Sequence, residues 1–457
     1  MKGLVFVGVH DDLLARHRKV APNWQALYYE HPIALSHGEG RHVWDREGNR
    51  YLDWFGGILT TSTGYGFDPV VQAVQAQAER MLHSSTLYLI EPAIELAEEI
   101  SRLSPIDDAK VFFATSGTEA NELALLLATL HRNSNQVLAL RNSYHGRSFG
   151  AMAITGNRSW RASSLSPLNV SYVENGYRYR SPYRHLDDAA YIEACARDLR
   201  SVIETTTSGN TACMIAEPIQ GVGGFATPPD GFFRALKDVL DEYGILFISD
   251  EVQTGWGRTG DGWWGISAHD VTPDIMTFAK GIGNGLTIGG VIAPAELMDS
   301  VAAGSISTFG GNPLSTAGAL ANLRYILEHN LKDNCRAQGQ RILGGVRELM
   351  DAGELPSVGD LRGKGLMFAL ELIVPGSDEG HGGTPDAKAA AAVMEVARER
   401  GLLIGKGGLY GNTLRMAPPM TLTDDEAIDG LELLVASIQH VQHDLHGIAP
   451  SREGVPA

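Results

Sequence analysis

Two apolar runs that each stop on a charge, about thirty residues apart, constrain this chain more than anything else in it. In "GILFISDEVQTG" the run ends at Asp250 and Glu251, and in "PDIMTFAKGIGNG" it ends at Lys280 and meets glycines. Runs this short and this apolar are expected of parallel strands covered on both faces. Others stand at "AKVFFATSG", "QVLALR", "ACMIAEPI" and "GGVIAP", and helical patterns such as "TEANELALLLATLHR" separate several of them. Strands alternating with helices predict βαβ units and an α/β fold with a mostly parallel sheet. In such sheets ligands bind beyond the carboxyl ends of the strands, which is where Asp250 and Lys280 fall.

At 457 residues the chain is too long for one compact core. The pattern divides it into an N-terminal segment 1–65 that contributes to a small domain, a large domain 66–325, a C-terminal small α+β domain 326–445 and a disordered tail 446–457. "RHVWDREGNRYLDWFGG" reads as a short β-meander, and "DPVVQAVQAQAERML" as a helix opened by Asp68 and Pro69. Past 325, "LMFALEL" and "NTLRMAP" read as strands with the helix "AKAAAAVMEVARERG" between them. Residues 156–186, rich in Ser, Arg, Tyr and Pro and without a period, read as a long surface loop over the site.

A 44% hydrophobic and 20% charged composition is that of a soluble globular protein. The net charge of −17 argues against nucleic acid, since nothing would neutralise a run of phosphates. Three scattered cysteines, Cys195, Cys213 and Cys335, form no paired spacing, so reduced cytoplasmic thiols are expected, with no disulfide framework and no metal site. No run approaches roughly 18 apolar residues, so no membrane span is expected. "MKGLVFVGVHDD" lacks the longer core and cleavage site of a signal peptide.

The charged strand ends carry the chemistry. An ionised Asp250 after the apolar "ILFIS" wants a cationic partner. A lysine that forms a Schiff base and an aspartate that faces a pyridinium nitrogen are what pyridoxal phosphate needs from a protein. Burial of Lys280 would lower its pKa and favour the neutral nucleophile; a solvated strand-end lysine is the plainer alternative. Ser116, Gly117 and Thr118 stand between a strand and a helix, where free amides and hydroxyls would cradle a phosphate or would simply cap the helix. Tyr144 would stack on a flat cofactor, with Val252 on the opposite face and Gln253 at the ring hydroxyl. His145 is a core histidine or a cofactor neighbour. Arg147 is a solvated charge or a two-pronged carboxylate clamp. Glu217, closing another apolar strand, is an ion-pair partner or a solvated end. Arg415, on a strand in "NTLRMAPPM", must pair with something, and a substrate carboxylate or Glu217 would serve. Thr308 lies in the glycine turn "STFGGNP".

Taken in order, "SGTEANE", "YHGR", "EPIQG", "DEVQTGWGRTG", "PDIMTFAKGIGNG", "TFGGNP" and "LRMAPPM" resemble the class III (ω-amino acid) aminotransferases from about residue 30 to 440. Within them, "HPIALSHGEGRHVWDREGNRYLD", "EPIQGV" and "VGDLRGKGLMFALEL" look most like the alanine–glyoxylate aminotransferase 2 group. The resemblance implies the aspartate aminotransferase-like fold of PLP-dependent transferases, with a mainly parallel seven-stranded sheet and a smaller α+β domain. It implies ping-pong transamination through a Lys280 Schiff base, from an amino acid or ω-amino acid to pyruvate, glyoxylate or 2-oxoglutarate. Asp250 would face the ring nitrogen, Gln253 the ring hydroxyl and Tyr144 the ring, with Gly117 and Thr118 on the phosphate. Thr308 would reach the phosphate of the neighbouring subunit in a homodimer or a dimer of dimers. Arg415 would hold the α-carboxylate, and Glu217 would pair with Arg415 when a substrate lacks one. Trp54 would shape the substrate pocket. Arg147 departs from the nearest group and matches ornithine and 4-aminobutyrate aminotransferases, where the arginine takes a distal carboxylate. The rival activity is a PLP-dependent lyase that eliminates phosphate from phosphorylated amino alcohols or amino acids.

Overall fold

The computed structural model describes residues 9–378 and 380–448. Most of the tail expected to be disordered, and the start of the N-terminal segment, lie outside these residues.

Seven strands form the central sheet in the order Ala109–Ala114, Gly289–Pro294, Ile275–Phe278, Leu246–Asp250, Cys213–Ala216, Gln136–Leu140 and Asn169–Val173. The last five run parallel. Gly289–Pro294 runs antiparallel to both of its neighbours, so the first strand again points the same way as the five. Side chains alternate between two buried faces, as the pleat requires. Leu138, Met214 and Phe247 pack with the helices Asp188–Thr206 and Phe232–Glu242, whereas Val137, Ile215 and Ile248 pack with the helix Gly117–Arg132. Cover on both sides explains why these strands read as unbroken apolar runs.

The expected long loop at 156–186 holds the edge strand Asn169–Val173. Its sequence, NVSYV, keeps only Val173 fully buried, so it lacks the apolar signature of its neighbours.

Two further four-stranded sheets flank the first. One contains the expected meander, Leu35–Glu39, His42–Asp45 and Arg50–Asp53, joined in parallel by Leu402–Leu403. The other is ordered Val358–Lys364, Met367–Leu372, Thr413–Met416 and Gly405–Gly407. Leu52 and Trp54 share a core with residues from the helices Leu331–Asp351, Ala387–Glu399 and Asp424–His446. The strand Arg50–Asp53 near the start of the chain is thereby tied to its last helix. The division expected at 325 falls inside the helix Pro313–Glu328; the chain first turns at Asn330, which is left-handed.

Candidate active site

Because the two antiparallel steps cancel, the strands ending at Ala114, Leu140, Ala216, Asp250 and Phe278 deliver their carboxyl ends to one edge. The residues that follow line a cavity of about 370 Å³. Ser116, Gly117 and Thr118 follow the edge strand Ala109–Ala114, and Tyr144, His145 and Arg147 follow Gln136–Leu140 on the other side of the centre; Glu217, Asp250, Val252, Gln253 and Lys280 come from the strands between them. Arg415 comes from the far sheet.

Asp250 is held on three sides. Its Oδ2 accepts from Asn121 Nδ2 at 2.8 Å and lies 2.7 Å from His145 Nδ1, and its Oδ1 accepts from Val252 N at 3.1 Å. Asn121 is fixed in turn by donating to the His145 carbonyl and accepting from Thr277 Oγ1 at 2.7 Å. Burial, helped by Arg415, pulls the Lys280 amine down from 10.5 to about 8, with Asp250 and Glu217 opposing. Lys280 itself has left-handed backbone, φ 50°, in the turn that follows its strand. Burial raises the Glu217 carboxyl to about 7.

Glu217 is not a solvated strand end, and it makes no hydrogen bond to Arg415 here. Its Oε1 accepts from Tyr144 N at 2.9 Å and its Oε2 from Gly221 N at 2.7 Å. Arg415, 1% exposed, donates to Gly221 O at 2.9 Å, to Lys406 O at 3.0 Å and to Tyr28 Oη at 3.0 Å. Its guanidinium also lies over the rings of Phe55 and Phe225, at 5.3 and 5.5 Å. Among the described residues every hydrogen-bond acceptor of this buried cation is neutral, and Glu217 is not among them.

At the helix Gly117–Arg132, Ser116 does cap, accepting from Glu119 N at 3.3 Å. The next two amides, of Gly117 and Thr118, have no partner among the described residues. A Cβ on Gly117 would press on Val252 at 3.0 Å, so the backbone here approaches the cavity closely. The Thr118 hydroxyl is taken up by Arg147 N, Ser148 N and the Ser148 hydroxyl. Gln253 Oε1 and His145 Nε2 are buried without partners among the described residues. A buried polar atom is costly when unpaired, so these atoms mark places a ligand fits.

Two expected residues lie elsewhere. Trp54 is fully buried in the small core, edge-on to Phe368 at 5.8 Å, because it continues a strand whose inward face packs against that sheet. Thr308 is exposed and does not line this cavity. Tyr28, Ile58, Asn121 and Val222 line the cavity without having been expected there, and Trp160, from the segment expected over the site, joins them. Trp160 meets Tyr144 edge-on at 5.6 Å. Ile58 belongs to four successive left-handed residues, Gly56 to Leu59, with φ of 54°, 60°, 67° and 61°. Asp53 Oδ1 anchors that turn by accepting from Phe55 N and Gly56 N, and Leu59 is buried against Ile219, Phe225 and Met367.

Residues 25–438 match the family described as aminotransferase class-III. The chain belongs to the class III aminotransferases. It is 37% identical to an alanine–glyoxylate aminotransferase 2 homolog from Arabidopsis thaliana, over 92% of this chain and 86% of that one. It is 35% identical to the Escherichia coli 4-aminobutyrate aminotransferase GabT, over 93% and 97%. Among solved structures it is similar to the pyridoxamine phosphate-bound form of a Vibrio fluvialis aminotransferase. That likeness has a TM-score of 0.85 at 25% identity, covering 94% and 98% of the two chains. This aminotransferase is therefore an enzyme of the PLP-dependent transferase fold, and its cofactor is pyridoxal 5′-phosphate.

Proposed function

We propose that this aminotransferase moves an amino group from a carboxylate-bearing amino acid, ω-amino acids included, to an oxo acid such as pyruvate, glyoxylate or 2-oxoglutarate. The observation that carries this reading is Arg415, a buried cation that lines the same cavity as the depressed Lys280 amine and has no anionic hydrogen-bond partner among the described residues. A planar guanidinium binds a carboxylate through two parallel bonds, and a buried charge is strongly stabilised by gaining one. Arg147, exposed at the cavity, offers a second carboxylate contact and favours a dicarboxylate oxo acid.

Pyridoxal phosphate, when bound, supplies an electron sink for the substrate carbon that bears the amine. The Gly117 and Thr118 amides with Ser116 would hold its phosphate at a helix N-terminus. Asp250 would pair with its ring nitrogen and Gln253 with its ring hydroxyl, Tyr144 and Val252 would pack against it, and His145 steadies Asp250. Lys280 would hold it, and the neutral Nζ of Lys280 would move the proton at the substrate carbon.

A homodimer is part of the same reading. Leu82, Leu87, Leu89 and Phe309 are exposed apolar side chains, and Thr308 stands beside Phe309. A second copy would cover them and bring Thr308 to the neighbouring site. Light scattering tests this, and a monomer would remove it. No described helix is long and apolar enough to cross a membrane. A cytoplasmic location completes the proposal and is tested by cell fractionation.

The deciding experiment adds alanine, glutamate, β-alanine, 4-aminobutyrate, ornithine or phosphoethanolamine to the holoenzyme without an oxo acid. Stoichiometric, lasting conversion of the cofactor absorbance, reversed by an oxo acid, is the expected result. Recovery without an acceptor, with release of phosphate or ammonia, would establish the lyase instead.

A further inference from the structure

The segment Gly221-Val222-Gly223-Gly224 has three glycines in four residues, the composition of a backbone with the greatest freedom to lose. It is nevertheless gripped at every residue. Gly221 N donates to Glu217 at 2.7 Å, and Gly221 O accepts from Arg415 at 2.9 Å. Val222 O accepts from Gly408 N at 3.0 Å, and Gly223 O accepts from Asn142 Nδ2 at 3.0 Å. Gly224 O accepts from Arg362 Nε at 2.8 Å. Gly224 is left-handed, φ 94°, and a Cβ there would meet Gly408 Cα at 2.9 Å, so no side chain of its own can hold this end.

Arg362 is the far clamp, and it is itself anchored. Its Nη1 donates to Glu371 Oε2 at 2.9 Å, and its guanidinium lies over the Tyr177 ring at 4.7 Å. Glu371 is completely buried and is also reached by Arg180 and the Tyr177 hydroxyl. One edge of the Arg362 fork therefore satisfies a buried carboxylate, while Nε holds the loop. A lysine there would keep the charge but could not serve both at once.

We propose that Arg362 is a positioning residue for carboxylate recognition: by holding Gly224 O it fixes the loop whose Gly221 O aims Arg415 into the cavity. This rests on the reading of Arg415 as the carboxylate site. It makes the buried cluster around Glu371 part of substrate selection, although none of its members lines the cavity.

The test is Arg362→Lys in the holoenzyme, which leaves Glu371 a cation and releases Gly224. Single-turnover conversion is measured with alanine and with ethylamine, which has no carboxylate, alongside the Kd of unreactive propionate. We expect kcat/KM for alanine to fall about tenfold, mostly through KM, as for loss of one hydrogen bond to a charged partner. Ethylamine should change less than about twofold, and the propionate Kd should rise by the same factor as KM. Asn142→Ser frees Gly223 O from the other side, so it should reproduce the pattern even if Arg362→Lys fails to fold. Equal losses for both amines, or an unchanged propionate Kd, would overturn the proposal. If the wild type converts no amine yet binds propionate, the transaminase reading fails while the propionate arm still tests Arg362.

Discussion

Replacing Arg415 with Gln probes the site most directly. The guanidinium lies among Gly221 O, Lys406 O, Tyr28 Oη and two aromatic rings, all neutral, so a substrate carboxylate would be its first anionic hydrogen-bond partner. Hydrogen bonds to charged groups contribute about 1.5–3 kcal/mol each, and a two-pronged pair has two. Gln offers only one uncharged prong to the carboxylate, so the loss is about 3 kcal/mol, or roughly 150-fold in kcat/KM for carboxylate donors. Amines without a carboxylate should be nearly unaffected. A second effect has a defined sign. Arg415 helps hold the Lys280 amine down, so removing that positive charge favours the protonated amine and moves its pKa above about 8. Uptake of cofactor by the apoprotein should then need a higher pH. Stopped-flow conversion and a pH series of cofactor uptake read both. If carboxylate donors stay within about threefold of wild type, Arg415 does not bind them and the substrate assignment fails.

In the wild type, cofactor uptake by the apoprotein should accelerate as pH rises through about 8, because only the neutral Lys280 amine is nucleophilic; a rate flat from pH 6 to 10 would contradict the depressed value. Glu251 is a strut, accepting from Gly265 N, Ile266 N, Ser249 Oγ and Thr254 Oγ1, so Glu251→Ala should cost about 3–5 kcal/mol in urea denaturation; an unchanged midpoint would refute that role. All three cysteines are buried, and burial pushes each thiol up to about 12, so a thiol reagent should label none until the protein unfolds. Thr308→Val should weaken cofactor binding in homodimers, and mixed dimers with Lys280→Ala subunits should regain one normally bound site; full affinity in the homodimeric variant would remove the cross-subunit contact.

What the sequence displayed was the set of strand ends. Asp250, Glu217 and Lys280 each close an apolar run, and parallel strands place such ends together, so local reading was enough. Pairings that depend on the third dimension were hidden. Glu217 and Arg415 are opposite charges in one cavity, but two backbone amides reach Glu217 first, and neither amide leaves a mark in the sequence. Trp54 follows a strand, and only the opposing Phe368 shows that it faces a core. Tyr28 and Ile58 come from segments with no charged or glycine-flanked strand end, though "FGGIL" carries two glycines that signal unusual backbone. Asn169–Val173 was missed because an edge strand with one fully buried residue has no periodic signature.

The left-handed turn at Gly56–Leu59 gives position 58 an unusual place in any attempt to remodel the enzyme. Enlarging a cavity ordinarily lowers the melting temperature, because contacts are removed and nothing replaces them. Here a β-branched side chain sits on backbone that disfavours it by about 1–2 kcal/mol, while glycine loses only about 0.5–1 kcal/mol more chain entropy on folding. Ile58→Gly should therefore widen the cavity and melt at or above the wild type, with a clear fall in melting temperature as the contrary result. A library begun at position 58 would start without the stability debt that most pocket changes incur.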